Sequence, residues 1–302
     1  LSARAGKGWA ERGETGGATA LRALLWLVLR LGPRRSLLAL LPVTAGFLLF
    51  SRDARAASRD FLGRALGRPA RLRDVARHFH NFAGTLIDRA FLLSGRLGGF
   101  DIATKGLEHV AAVLASGRGC VLLGAHLGSF EVLRSLARHS PAPVRPMMYR
   151  RNAGPLTALL DRLAPDIRDS VIDIGEPASM LRARECVARG EIVGILADRA
   201  PRGERQVEVD FLGSPAGFPA GPFILAASLA APVVLFYGVR LGPCRYAIRF
   251  EPFAEGLELR RASRAADLHD LVSRYAAALD AACRAHPFNW FNFFPFWTSG
   301  RT

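Results

Sequence analysis

The sequence predicts an α/β fold, a mainly parallel mixed sheet flanked by helices, and three observations predict it. Short apolar runs of strand character alternate with helical stretches from Thr104 to Phe253, and strands separated by helices build parallel sheets. The chain has 302 residues and is 50% hydrophobic, enough for a core that needs no covalent or metal staple. Its four cysteines, Cys120, Cys186, Cys244 and Cys283, show neither CxxC nor Cys–His ligand spacing. They read as structural thiols of a reducing compartment.

In chain order, the first twenty residues are polar and Gly-rich. Leu21 to Leu31 is an apolar, helix-like stretch interrupted by Arg22 and Arg30, Gly32-Pro33-Arg34-Arg35 breaks it, and Ser36 to Phe50 carries no charge. Those fifteen uncharged residues contain Pro42 and fall short of the ~20 that span a bilayer. No small-residue cleavage site marks a signal peptide. Two apolar segments around an arginine-rich break fit a re-entrant or interfacial anchor; a buried helical hairpin satisfies the same pattern. The expected organisation is a polar segment at 1–20, an anchor or interfacial hairpin at 21–50 and one α/β domain at 51–302. Between Ser51 and Arg77, eight arginines meet three aspartates. That balance suits either acidic headgroups on the cytoplasmic side of a membrane or a solvated helix face. His78 and His80 have no carboxylate at metal spacing and read as helix residues.

Val121 to Ala125, Val144 to Tyr149, Val171 to Ile174, Ile192 to Ala197 and Val233 to Val239 read as buried strands, with Tyr246 to Phe250 as an alternating edge strand. Glu131 to His139, Pro155 to Leu163, Pro177 to Arg189 and Ala220 to Ala230 read as the helices between them. Asp267 to His286 is an amphipathic closing helix that ends before Pro287.

The net charge is +15, from 41 basic and 26 acidic residues. Such a field favours polyanions: nucleic acid, an anionic membrane or an acidic carrier protein. The absence of a helix-turn-helix signature, an aromatic RNP pair or a zinc finger argues against nucleic acid. No GxGxxG, Walker loop or HExxH occurs, which argues against nucleotide and metal chemistry.

The densest chemical signal is Gly119-Cys-Val-Leu-Leu-Gly-Ala-His126-Leu-Gly-Ser-Phe-Glu131, an apolar strand that stops at a histidine with a carboxylate five positions on. An imidazole takes a proton near neutral pH, and a carboxylate can fix its tautomer and stabilise the imidazolium. No serine or cysteine nucleophile is needed if the substrate brings the hydroxyl. A helix-start histidine beside a solvated glutamate is the plain alternative. Asp198-Arg199 ends the strand Ile192 to Ala197, and Arg150 ends Val144 to Tyr149 at the same carboxyl edge, where an arginine suits bidentate contact with phosphate. Gly213 to Pro222 is a Pro/Gly loop that opens a helix whose N-terminal amides suit an anion, although composition alone fits a structural loop. The ending Pro287-Phe-Asn-Trp290-Phe291-Asn292-Phe293-Phe-Pro-Phe296-Trp297 suits a core cap, an acyl tunnel or a membrane interface.

Together these residues resemble the lysophospholipid acyltransferase superfamily, specifically its lipid A biosynthesis (lauroyl/myristoyl-type late acyltransferase) branch. Gly124-Ala-His126-Leu-Gly-Ser-Phe-Glu131 resembles the branch's His-x-Gly-Asn-x-Glu core, and Ala197-Asp198-Arg199 its Asp-Gln or Asp-Arg strand end. Asp210-Phe-Leu-Gly213-Ser-Pro215-Ala-Gly-Phe-Pro219-Ala-Gly221-Pro222 is similar to its Phe-x-Gly-x-Pro-Ala-x-x-Pro-x-Gly-Pro block. Trp290-Phe-Asn-Phe293 with Phe296-Trp297, and the opening Gly8-Trp-Ala-Glu-Arg-Gly-Glu14, are similar to a subgroup that accompanies or is fused to family 2 glycosyltransferases. Ser129 replaces the usual asparagine, and Phe294-Pro295 the tail's Tyr-Asp.

The resemblance implies a glycerol-3-phosphate acyltransferase-like fold with an N-terminal apolar anchor, on the cytoplasmic face of a bacterial inner membrane. It implies transfer of an acyl group from a thioester, commonly on acyl carrier protein, to a hydroxyl of a lipid or glycolipid, with neither cofactor nor metal. His126 is then the general base and Glu131 the residue that orients it, while Gly128, Ser129, Arg150, Asp198, Arg199, Pro219 and Gly221 shape the substrate site. Expected partners are the carrier protein, anionic membrane lipid, the acceptor and a glycosyltransferase. Two other readings keep the residues: acyl-CoA as donor to a different acceptor, or a non-catalytic membrane partner of a glycosyltransferase.

Overall fold

The computed structural model describes residues 18–132, 142–149, 169–200 and 203–297, with residues 159 and 163. Four helices come first: α1 (Ala18–Leu31), α2 (Pro33–Phe50), α3 (Arg52–Leu66) and α4 (Leu72–Leu93). There follow β1 (Asp101–Lys105), α5 (Leu107–Ala115), β2 (Cys120–Gly128), β3 (Val144–Met148), β4 (Ile172–Asp173), α6 (Ser179–Ala188) and β5 (Ile192–Leu196). The hairpin β6 (Gln206–Phe211) and β7 (Ser214–Pro219) leads to α7 (Gly221–Leu229), β8 (Val233–Gly242), β9 (Arg245–Ala254) and α8 (Arg264–Ala285). The main sheet has the order β1-β9-β8-β2-β5-β3-β4. The strands from β8 to β4 are mutually parallel, and β9 runs antiparallel to β8. The sheet is therefore mainly parallel and mixed.

Burial explains the sequence pattern strand by strand. Cys120 to Leu123 is buried throughout, because the middle strand β2 has both faces covered, and such strands read as continuous apolar runs. Val121, Leu123, Val193 and Leu235 join the core that α3, α6, α7 and α8 cover. Leu122, Val234 and Phe236 face the opposite core, with Leu92 of α4 and Val110 of α5. Tyr246, Ile248 and Phe250 are buried while Arg245 and Arg249 are exposed, the alternation of a strand covered on one face. The expected edge position of that segment is corrected: β1 pairs parallel to it and takes the edge. The helices expected at Glu131 to His139 and Pro155 to Leu163 lie largely outside the described residues.

Two further differences have physical causes. Strand β2 runs on to Gly128 because the chain after α8 pairs with it: Gly128 N donates to Asn289 O at 2.8 Å, Phe291 N donates to His126 O at 3.1 Å, and Leu127 bridges Trp290. The Pro/Gly block from Ser214 onward is a strand, β7, rather than a loop. Its turn places Leu212 at φ 50 and Gly213 at φ +79, the pair of positive values a two-residue hairpin turn requires. Leu212 N is tied to Asp280 Oδ2 of α8 at 2.8 Å.

The apolar segment at 21–50 divides its faces. Val28, Leu37 and Leu40 pack with Ile87 and Phe91 of α4, while Trp26, Leu38, Leu49 and Phe50 are exposed, Phe50 at 86%. Pro33–Phe50 is long and apolar enough, by length and composition, to cross a membrane. Several arginines after it are internal ties. Arg64 stacks on Trp297, Arg68 bonds Asp74 and Arg77 lies over Phe288. All four cysteines are buried and free.

Candidate active site

Adjacent strands β2 and β5 run parallel in register as far as Gly124 and Leu196. Their carboxyl ends therefore bring residues just beyond that pair side by side, although they lie far apart in sequence. His126 and Asp198 meet there. The imidazole Nδ1 is 2.8 Å from Asp198 Oδ1, and the His126 main-chain N–H donates to Oδ2 at 3.1 Å. Trp290 Nε1–H donates to the same Oδ2 at 2.9 Å. Asp198 is fully buried, whereas the His126 side chain keeps 35% of its surface accessible.

The ionisation states follow from this geometry. Burial pushes the Asp198 carboxyl up, but His126, Arg199 and the indole N–H outweigh it and hold the group at about 2. Asp198 is therefore an anion and an acceptor only, so the Nδ1 beside it carries the hydrogen. Desolvation within the site and the Arg199 charge lower the imidazole below its ordinary 6.5, against the pull of Asp198 and Glu131. A neutral ring protonated at Nδ1 leaves the Nε2 lone pair free, the arrangement a general base needs.

The carboxylate at Nδ1 is thus Asp198, where the sequence suggested Glu131. Glu131 pairs with Arg89 of α4 at 2.8 Å and accepts from Ser129 Oγ at 3.3 Å. Ser129 is buried and also donates its main-chain N–H to Gly238 O at 2.8 Å. Gly128 adopts φ +79, and a Cβ there would stand 1.9 Å from Gly238 O, so only glycine allows β8 to approach.

Arg199 turns towards the C-terminal tail, donating from Nη2 to Phe291 O at 2.6 Å, with Phe294 stacked on its guanidinium. Pro219 closes the β7 pairing opposite Gln206. The α7 N-terminus, expected to meet a substrate anion, already holds one from the protein: Gly221 N donates to Glu204 Oε1 at 3.1 Å. Arg150 lies outside the described residues. Among the described residues, no three His, Cys, Asp or Glu side chains converge as a metal would require.

Sequence reasoning missed Trp290 as a site residue and the Asp198 contact, though both lay in motifs it singled out. Arg89 and Tyr275, whose hydroxyl donates to Gly124 O at 2.8 Å, gave no signal.

An accessible imidazole held by a buried carboxylate thus stands at the carboxyl edge of the α/β sheet. The particular class is given by sequence. The chain belongs to the bacterial lipid A biosynthesis acyltransferase family, whose model matches residues 16–299, and is therefore an acyltransferase. None of the curated protein sequences matches it. Membership implies an acyl donor and a lipid acceptor.

Proposed function

We propose that this protein moves a fatty acyl group from an acyl thioester, carried on acyl carrier protein, to a hydroxyl of a lipid A-like lipid or glycolipid. His126 is the general base. Its Nε2 takes the acceptor's hydroxyl proton as the oxygen attacks the thioester carbonyl carbon. A C–O bond forms, the C–S bond breaks, and the imidazolium returns the proton to the departing thiolate, giving ester and free thiol. The reaction so written uses no cofactor. Asp198 holds the ring and offsets its charge in the transition state. Arg199, whose charge already acts on His126, is the candidate stabiliser of the thioester oxyanion. Glu131 acts at one remove, through its contacts with Arg89 and Ser129.

The contact between His126 Nδ1 and Asp198 Oδ1 carries this reading, because it leaves a free base on an accessible ring. The exposed apolar face of α1 and α2 supports residues 21–50 as a membrane anchor; this reading sets it on the cytoplasmic face of the inner membrane, with 51–302 as the catalytic domain. The +15 charge suits both anionic lipid and an acidic carrier protein. A family 2 glycosyltransferase is a further partner of this reading, on the likeness of the tail.

Thiol release from a palmitoyl-loaded carrier protein, with total membrane lipid as acceptor, tests the proposal. Release should require lipid, with label in one lipid band, and His126→Ala should lower it about 10²–10⁴-fold. A loss below tenfold would remove His126 as the base.

A further inference from the structure

We infer that His78 is a positioning residue for the His126–Asp198 pair, acting through the Trp290–Phe291 peptide and the Trp290 indole. The inference rests on the acyl-transfer reading of that pair. His78 lies on α4, fully buried, far along the chain from every site motif. Its Nε2 is 2.9 Å from the Trp290 carbonyl oxygen and its Nδ1 is 2.9 Å from Ser58 Oγ on α3. A carbonyl only accepts, so Nε2 bears the hydrogen. Burial, only partly opposed by that carbonyl, lowers the ring to about 4. It is therefore neutral at working pH, and Nδ1 accepts the Ser58 hydroxyl proton.

The peptide joining Trp290 to Phe291 is one rigid plane. His78 holds its carbonyl, and its N–H, that of Phe291, donates to His126 O at 3.1 Å. The same Trp290 sends its indole N–H to Asp198 Oδ2. The Trp290–Phe291 unit thus reaches both members of the pair, by the Phe291 main-chain N–H to the base and by the Trp290 indole to the carboxylate, and His78 fixes the peptide plane between them. Packing alone does not call for histidine here. The ring is surrounded by Phe61 and Phe293, with centroids at 5.6 and 4.7 Å, where another aromatic ring would bury as well. What the imidazole adds is a fixed donor to a buried carbonyl, and leaving such a group unpaired is costly.

The test uses the full chain in detergent micelles with 15N-labelled tryptophan, and two substitutions that keep polarity. His78→Asn places its amide near the Nδ1 position and loses the donor to Trp290. His78→Gln can place its amide nitrogen where Nε2 stands. We expect His78→Asn to lower kcat on the order of tenfold with KM little changed, and to shift the Trp290 indole resonance, assigned with Trp290→Phe. His78→Gln should recover most of both. Equal losses in the two variants, an unmoved indole resonance, or an unchanged kcat in His78→Asn would overturn the inference. The indole arm needs no turnover. If His126→Ala proves as active as the parent protein, the acyl-transfer reading fails, and the resonance alone decides whether His78 positions Trp290.

Discussion

Asp198 and Asp88 are both fully buried, and each has a nitrogen 2.8 Å away, from His126 in one case and Arg240 in the other. Their surroundings diverge. Asp198 receives hydrogens on both oxygens, from the ring and main chain of His126 and from Trp290, and its carboxyl stays near 2. Asp88 receives Arg240 Nε and the Tyr246 hydroxyl on one oxygen, Oδ2, and burial pushes its carboxyl up despite the guanidinium. The partners differ in access too. The His126 side chain is 35% exposed, that of Arg240 4%. A buried anion next to a titratable, accessible partner is equipped for proton transfer. A buried anion sealed against a permanent cation ties α4 to β8 and β9.

Removing the charge of Asp198 while keeping its shape should separate the two carboxylates most clearly. Asp198→Asn presents an amide that can donate to Nδ1, favouring the tautomer with hydrogen on Nε2, which is no base. We expect kcat to fall about 10²–10⁴-fold with the fold retained by circular dichroism. Glu131→Gln, which loosens Arg89 and Ser129 without touching Nδ1, should cost far less. The reverse ranking, measured in the same thiol-release assay, would return the orienting role to Glu131.

On the other side, Arg240→Ala strips a buried carboxylate of its cation. Breaking one partner of such a pair costs about 3–5 kcal/mol of stability, readable as a lower denaturant midpoint, while the turnover of folded molecules should hold. Gly84 shows how closely the guanidinium is seated: a Cβ there would lie 2.7 Å from the Arg240 Cζ. A stability change under about 1 kcal/mol would mean that Asp88 is satisfied without the guanidinium, through Tyr246 or by taking up a proton.

What was legible in the sequence follows the same division between local and long-range information. Strands β2, β5 and β8 announce themselves because both faces are buried, so their apolar runs are unbroken. His126 was legible because it ends such a run between two glycines. The exposed polar strand β1 gave no signal, since its backbone pairing with β9, not its side chains, makes it a strand. The β6–β7 hairpin hid behind Pro215, Gly217 and Pro219, residues that ordinarily interrupt strands. Asp198 and His126 were each noticed but their pairing was not, because that contact depends on β5 lying next to β2, and spacing along the chain does not encode strand order. Trp290 lay in a tail that suited a core cap among other roles; it is core, and only the fold aims its indole at Asp198. His78 lacked any neighbour in sequence that would mark it, because both its partners come from other elements.

The smallest expected effect is the most specific to the comparison. Arg199, Asp198 and Glu131 are the charges acting on His126, and desolvation together with Arg199 outweighs the two carboxylates. The imidazole is active when neutral, so a lowered pKa extends activity towards acid: the acidic limb of kcat/KM should have its midpoint below pH 6.5. Asp198, at about 2, stays ionised across that range, so the limb belongs to the histidine. Asp198→Asn removes a charge that raises the imidazole and should move the residual limb further down. Glu131→Gln should move it in the same direction. Arg240→Ala, whose cation belongs to the sealed pair, should leave the midpoint where it was. A pH profile on all four proteins reads these shifts, and a parent midpoint at or above 6.5 would mean that the carboxylates, not the burial and Arg199, set the histidine's basicity.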